Sequence, residues 1–307
     1  MPAVLDPKLL AATRGLTLAA RQLVAGLLPG MHASRQPGMA REFAQYRAYQ
    51  PGDEPRHIDW KLYARSDRYF VRESEIETAV TVRLILDATA SMLHADAADP
   101  SATKFERARV LAAALALLAQ AQGDAVVLHA ATDGKIVAAP DAVHRRQPTE
   151  RLLRTLASLS PAGRWPSDGS RAMRQAVGSS GAGGGEDARE IVVVLSDLHE
   201  HEEEIRAALV PLRARRHELI VLHLVGRDEV DFPFHGPVRF EDWETGHIIE
   251  ADADAARTAW TAGHEERLRA WRRVWEGGGR FEYVRFRLDE PPGQTLRRYL
   301  RQRSLHR

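Results

Sequence analysis

The chain has 307 residues, 44% hydrophobic and 28% charged, with 43 basic against 42 acidic side chains and a formal net charge of +1. That length allows one large or two small domains, and the balanced charge gives no global sign of nucleic acid or an anionic membrane as partner. With no cysteine, disulfides and thiolate metal sites are excluded, which fits a reducing compartment.

In chain order, residues 7–28 predict one amphipathic helix with Leu9, Leu10, Leu16, Leu23 and Leu27 as packing positions, ended by Pro29-Gly30. Asp6, Lys8, Arg14 and Arg21 interrupt this amino end, so it lacks the apolar core of a signal peptide. The longest apolar run, Val110 to Ala119, is half of the about 20 residues that a membrane span needs. The chain is therefore expected in the cytoplasm without a membrane span.

Residues 31–80 are polar and dense in charge. Arg35, Arg41, Arg47, Arg56, Lys61, Arg65, Arg68 and Arg72 face Glu42, Asp53, Glu54, Asp59, Asp67, Glu73, Glu75 and Glu77. Equal numbers argue for internal ion pairs rather than a nucleic-acid surface. Phe43, Tyr46, Tyr49, Trp60, Tyr63, Tyr69 and Phe70 are interleaved, so guanidinium stacking should help knit this segment. The expected division is a helical and charged lobe over 1–80 and a second domain over 81–307.

From residue 81 strands alternate with helices, which favours parallel βαβ units. The strands are 81–86, 124–130, 190–196 and 218–225, with 135–139 as a hairpin edge after Asp133-Gly134. The helix over 104–121 opens on a capping box, Thr103 to Glu106, and is apolar nearly all round, so it should be covered on both sides. Helical stretches follow at 171–177 and 199–213, separated by a Gly/Ser-rich loop over 179–185. Residues 228–250 predict an inserted β-hairpin with Thr245-Gly246 near its turn, followed by a helix at 254–275 and a strand at 279–287. Trp243, Trp260, Trp271 and Trp275 are assigned to core packing. A basic helix closes the chain, with Leu296, Tyr299 and Leu300 inward and Arg297, Arg298, Arg301, Arg303 and Arg307 solvated. The fold class is α/β, a doubly wound and mostly parallel sheet.

The strand Val82 to Leu86 ends in Asp87, with hydroxyls at Thr89 and Ser91. Oxygen ligands of this kind suit a hard cation such as Mg²⁺, although Asp, Ser and Thr also cap helices. A second buried strand, Ile191 to Ser196, ends in Asp197, and Ser167-Asp-Gly169-Ser170 opens a helix between the two. In an open parallel sheet, ligands bind at the carboxyl ends of strands. This layout resembles the von Willebrand factor A domain and its metal-ion-dependent adhesion site. The matching positions are Asp87, Thr89, Ser91, Ser170 and Asp197, with Thr89 standing for Ser and Ser170 for Thr. The resemblance implies one Mg²⁺, or Mn²⁺ or Ca²⁺ in its place.

Glu42-Phe43, Arg47-x-Tyr49, Gly52-Asp53, Arg56-x-Ile58-Asp59-Trp60 and Ala64-Arg65, followed by the strand ending at Asp87, form a long signature of fixed spacing. It resembles domain-of-unknown-function family 58, bacterial von Willebrand A-like proteins often encoded beside MoxR-type AAA+ ATPases. Phe240-Glu-Asp-Trp-Glu244-Thr-Gly246 is similar to that family's hairpin. The resemblance, over roughly residues 32 to 300, implies a partner of a MoxR-type AAA+ ATPase acting on an unidentified client protein, as an adaptor or an assembly and maturation factor.

The expected function is a metal-dependent interaction module in which a partner's carboxylate completes the coordination of the ion. On that reading Asp87→Ala removes partner capture and leaves the fold intact. One alternative is a hydrolase of phosphatase type, which needs a second acid two residues after the nucleophile, where this chain has Thr89. With no Gly-x-Ser-x-Gly elbow and no phosphate loop, no enzymatic activity is expected. The other alternative is a metal-free scaffold in which Asp87, Thr89 and Ser91 cap a helix. His199-Glu-His201 is not a metal pair, because residues two apart on a helix point in different directions.

Overall fold

Runs of apolar residues too short for helices and flanked by polar turns form the strands of the central sheet. A computed structural model describes residues 7–27, 44–50, 58–74, 80–138, 148–179, 190–199, 203–213, 218–275 and 280–305. The chain divides into two units, one of Met1–Gly30 with Ala79–Arg307 and one of Met31–Thr78.

In the larger unit, strands β3 (Thr81–Asp87), β4 (Ala125–Thr132), β5 (Lys135–Ala138), β6 (Glu190–Ser196), β7 (Glu218–Val225) and β10 (Phe281–Arg287) form one sheet in the order β10-β7-β6-β3-β4-β5. Every pairing is parallel except β4 with β5, a hairpin turning through Asp133 and Gly134, both at positive φ. From β3 the chain runs outward to β4 and β5, then returns to β6 on the other side of β3. The strand order thus reverses between β3 and β6, and a crevice opens beyond the carboxyl ends of strands at such a reversal.

Alternation along the strands sends side chains to two helical layers. Val82, Leu84, Leu86, Val193 and Leu195 meet Leu16, Ala20 and Leu27 of α1 (Pro7–Leu27), Leu111 of α3 (Lys104–Ala121), Leu156 of α4 (Pro148–Ser158) and Leu296 of α9 (Pro292–Leu305). Ile85, Val192, Val194 and Val221 meet Met173 of α5 (Gly169–Ser179), Ile205 and Leu209 of α6 (Glu204–Arg213) and Trp271 of α8 (Ala253–Trp275). As its apolar circumference requires, α3 is covered on both sides, by α1 and α4 as well as by the sheet. Its cap is half of the expected box: Thr103 Oγ1 accepts from Glu106 N at 3.1 Å, while the Glu106 carboxylate holds Arg109. Below the second face lies a buried polar group, in which Arg83 donates to Glu190 at 2.8 Å and meets His129 Nε2 at 2.6 Å.

Three expectations change. The helix over 7–27 does not belong with a lobe ending at residue 80. Leu16, Ala20 and Leu27 are buried in the core of the α/β unit, because an amphipathic helix needs an apolar surface that the charged segment lacks. Trp243 is 48% exposed instead of packed, since it lies in the hairpin turn between β8 (Pro237–Glu241) and β9 (Ile248–Asp252). Trp271 is buried and Trp260 stacks on Phe240 at 6.3 Å; the Trp275 side chain lies outside the described residues. Helix α4 is an element that the alternation of strands and helices did not announce.

In the smaller unit, β1 (Ala44–Ala48) pairs antiparallel with β2 (Phe70–Ser74), and α2 (Trp60–Ser66) lies between them in sequence. Asp59 caps α2 by accepting from Lys61 N and Leu62 N at 2.9 and 3.0 Å. Tyr63 stacks on Tyr69 at 4.5 Å, and Tyr49 meets Tyr69 tilted at 6.2 Å. The expectations for Arg35, Arg41, Glu42, Phe43, Asp53, Glu54, Arg56, Glu75 and Glu77, for the loop over 180–185, for His201 and for Arg307 lie outside the described residues.

Candidate functional site

The reversal of strand order brings the two acids together. Asp87 ends β3 and Asp197 follows β6, its immediate neighbour in the sheet. The Asp87 side chain is 0% exposed and accepts four hydrogen bonds. Thr89 N and Thr89 Oγ1 donate to Oδ1 at 3.0 and 2.8 Å, and Ser196 Oγ and Trp165 Nε1 donate to Oδ2 at 2.6 and 2.8 Å. Burial and then the nearby Asp197 charge push its carboxyl up to about 6, against the pull of those donors.

From Asp87 a chain of oxygens crosses the crevice. Thr89 Oγ1 lies 3.1 Å from Ser91 Oγ, and Ser91 Oγ donates to Asp197 Oδ1 at 3.4 Å. Asp197 Oδ1 also accepts from His199 N at 3.1 Å, while Lys104 Nζ donates to Oδ2 at 2.9 Å. The same ammonium, on a residue 3% exposed, donates to Glu229 Oε1 at 2.7 Å. Burial alone would lower the Lys104 pKa, but Asp197 and Glu229 outweigh it and hold it above the ordinary lysine value. Burial would raise Asp197, yet Lys104 holds it below the ordinary carboxylate range.

A further carboxylate enters from the hairpin. Glu244, in the turn between β8 and β9, has both carboxylate oxygens buried, near the Ser91 and Thr89 hydroxyls. Its own burial, with the Asp87 and Asp197 charges, pushes it up to about 7. The hydroxyls of Thr89 and Ser91 carry one proton each. Two protons cannot serve Asp87, Asp197 and Glu244 at once.

Of the five positions singled out in the sequence, the structure therefore links Asp87, Thr89, Ser91 and Asp197 by hydrogen bonds. Ser170 stands in the first turn of α5, where its hydroxyl meets Arg174 of the same helix. That helix is capped by Asp168, which accepts from Arg171 N at 3.0 Å. Sequence reading missed Lys104, Trp165, Ser196, Glu229 and Glu244. Ser196 was visible as the neighbour of Asp197 and Glu244 as part of the hairpin signature. Lys104 and Trp165 carry no local signal, since distant segments bring them in.

Donor chemistry decides what the cluster can hold. Lys104 Nζ holds Asp197 and Glu229, and Asp87 and Glu244 add two more carboxyls beside them. The groups facing the crevice from Asp87, Thr89, Ser91 and Asp197 are all oxygens, the ligands of Mg²⁺, Mn²⁺ or Ca²⁺. Among the described residues no three of His, Asp and Glu stand together as the ligands of one ion. A fit therefore rests on two carboxylates and two hydroxyls, which suits Mg²⁺ because that ion keeps several waters. The fourfold-bonded Asp87 also changes one expectation: Asp87→Ala strands four buried donors, so it cannot leave the fold untouched. Beside the site lies a cavity of about 520 Å³, lined by Ser91, Lys104, Asp197, Phe240, Trp243 and Ile249.

Comparison with known proteins agrees with the signature. The family model described as "Protein of unknown function DUF58" matches residues 45–269. Uncharacterized protein Rv1480 of Mycobacterium tuberculosis is 31% identical over 257 residues, covering 82% of this chain and 76% of that protein. Uncharacterized protein Mb1516 of Mycobacterium bovis matches to the same extent. Among solved structures, the conserved hypothetical protein BatB from Bacteroides thetaiotaomicron has a TM-score of 0.43 at 16% identity, covering 73% of this chain and 98% of that one. The SpRpn10 VWA domain has a TM-score of 0.41 at 10% identity, covering 71% and 94%. The fold assignment rests on the strand order given above and not on these two likenesses. The chain belongs to the DUF58 family.

Proposed function

We propose that this DUF58 protein is a metal-dependent protein-interaction module and not an enzyme. The observation that carries the reading is the hydrogen-bonded row Asp87–Thr89–Ser91–Asp197 at the reversal of the sheet, with more carboxyls than cations around it. Asp87 and Asp197 would anchor Mg²⁺, or Mn²⁺ or Ca²⁺, directly or through water, with Thr89 and Ser91 tuning it. A divalent cation supplies residual positive charge that attracts an incoming Asp or Glu. The protein's own contribution is orientation: Trp165 and Ser196 fix one Asp87 oxygen, and Lys104 fixes one Asp197 oxygen.

The family resemblance supports a MoxR-type AAA+ ATPase as partner and a client protein as the thing acted on, which would put the chain in the cytoplasm. Among the described residues no helix is long and apolar enough to cross a membrane. A phosphatase-type reading is the weaker one, because the hydroxyl at position 89 is committed to Asp87 where a second acid would be needed. A metal-free scaffold finds support in Lys104, which already neutralises part of the cluster.

The test is binding of the purified chain to a MoxR-type ATPase in constant Mg·ATP, comparing the native protein with Asp87→Asn and with Thr89→Val/Ser91→Ala. Loss of about tenfold or more in affinity, a change of 1.4 kcal/mol, is the expected result. Equal binding by all three proteins would reject the site as the docking point.

A further inference from the structure

The turn after β6 is held in a conformation that leucine does not favour. Leu198, next to Asp197, has a φ of 55° and is buried in the core that includes Ile205 and Trp271. Left-handed backbone persists at a residue with a Cβ only where its surroundings over-determine it. Three hydrogen bonds do so here. Ser196 Oγ accepts from Leu198 N at 2.9 Å, and Asp197 Oδ1 accepts from His199 N at 3.1 Å. The third joins the Asp197 carbonyl oxygen to His223 Nε2 at 2.8 Å.

That third bond reaches in from another strand. His223 stands opposite Ser196 in β7, 5% exposed, and is the one polar residue between Leu219 and Val225. A valine or leucine would complete such a strand, and a buried imidazole is costly unless its nitrogens are bonded. A carbonyl oxygen only accepts, so Nε2 carries the proton; burial pushes the imidazole down and keeps the ring neutral. Nδ1 therefore accepts, and the Tyr283 hydroxyl donates to it at 2.6 Å. Tyr283 lies in β10, two residues before Arg285, which stands opposite His223, so both rings share one face of the sheet. The row from Tyr283 through His223 to Asp197 crosses three neighbouring strands. It ends on the main chain of an acid whose carboxylate meets Ser91 and Lys104.

We infer that His223 and Tyr283 are positioning residues for the ion: Tyr283 fixes the tautomer and tilt of His223, and His223 holds Asp197 in the turn that aims its carboxylate into the crevice. This rests on the metal-dependent reading above. It extends the support of the site to β10, the strand at the end of the sheet, which contributes no ligand. Hydrogen-bond partners behind a metal ligand typically set the affinity by about 10–100-fold.

The experiment uses the full chain and Mn²⁺, with binding followed by electron paramagnetic resonance and folding by circular dichroism. His223→Leu, which has no donor for the Asp197 carbonyl, should bind Mn²⁺ about tenfold more weakly than the native chain. Tyr283→Phe removes one hydroxyl and should shift the affinity in the same direction with the fold kept. It decides the question if His223→Leu does not fold. His223→Gln puts an amide N–H in place of Nε2–H, so it should recover most of the native affinity. A structural role alone would lower the stability of these variants in EDTA and leave their Mn²⁺ affinity unchanged. If the native chain holds Mn²⁺ and the folded variants hold it equally well, the positioning inference fails and the metal site stands. If the native chain does not hold Mn²⁺, both fall together.

Discussion

At Asp87 four donors converge on a side chain with no access to solvent, so its replacement tests stability before it tests function. Asp87→Ala should cost about 3–5 kcal/mol in chemical denaturation, because each stranded donor loses its partner without regaining water. Asp87→Asn should lose less, since its amide oxygen keeps part of the set, and it is the cleaner probe of the metal reading. Lys104→Met leaves the buried Asp197 and the half-buried Glu229 without their ammonium. Breaking one side of such a group costs about 3–5 kcal/mol, and urea unfolding in EDTA measures it. His129 gives a pH signature remote from the site. Burial first, then the Arg83 charge, pushes its imidazole down to about 4 from 6.5. The unfolded chain therefore takes up a proton between those values while the native one refuses it. Stability from this group is full above pH 6.5 and is lost as the pH falls towards 4, by about 3 kcal/mol. A His129→Asn protein lacks that component, and the difference between the two stability curves isolates it.

At the scale of elements, what was legible in the sequence was what local chemistry decides. The apolar runs ending in Asp87 and in Ser196-Asp197 are strands because they are short, buried on both faces and bounded by polar residues. The Thr103 cap and the hairpin around Thr245-Gly246 also follow from local rules. Ser170 shows where such reading stops. The pattern of a loop hydroxyl before a helix was right, but the residue bonds Arg174 one turn along, a choice set by where α5 lands. That landing is tight: a Cβ on Gly169 would lie 2.5 Å from the Glu204 carbonyl oxygen of α6. Gly169→Ala should therefore destabilise the α/β unit by about 1–3 kcal/mol, seen as a lower melting temperature. Lys104 and Trp165 were illegible for the same reason as Ser170. Their roles depend on which distant acids the strand order brings beside them, and charge patterning along the chain holds no record of that.

Over the whole molecule, the net charge of +1 conceals a local excess of carboxyls at the carboxyl end of the sheet. One lysine offsets part of it, the hairpin adds to it, and the reversal of strand order creates the crevice in which it sits. The site is a property of the α/β unit alone, with every named group in residues 79–307. Its central claim is that a divalent cation completes this cluster. The most direct test is thermal unfolding of the native chain and of Asp87→Asn in Mg²⁺ and in EDTA. At a hundredfold excess over its dissociation constant the ion should add about 2.7 kcal/mol to the native chain, a rise of roughly 5–10 °C for a unit of this size, and none to the variant. A native chain that melts at the same temperature in Mg²⁺ and in EDTA would contradict the account and leave Lys104 as the cluster's cation.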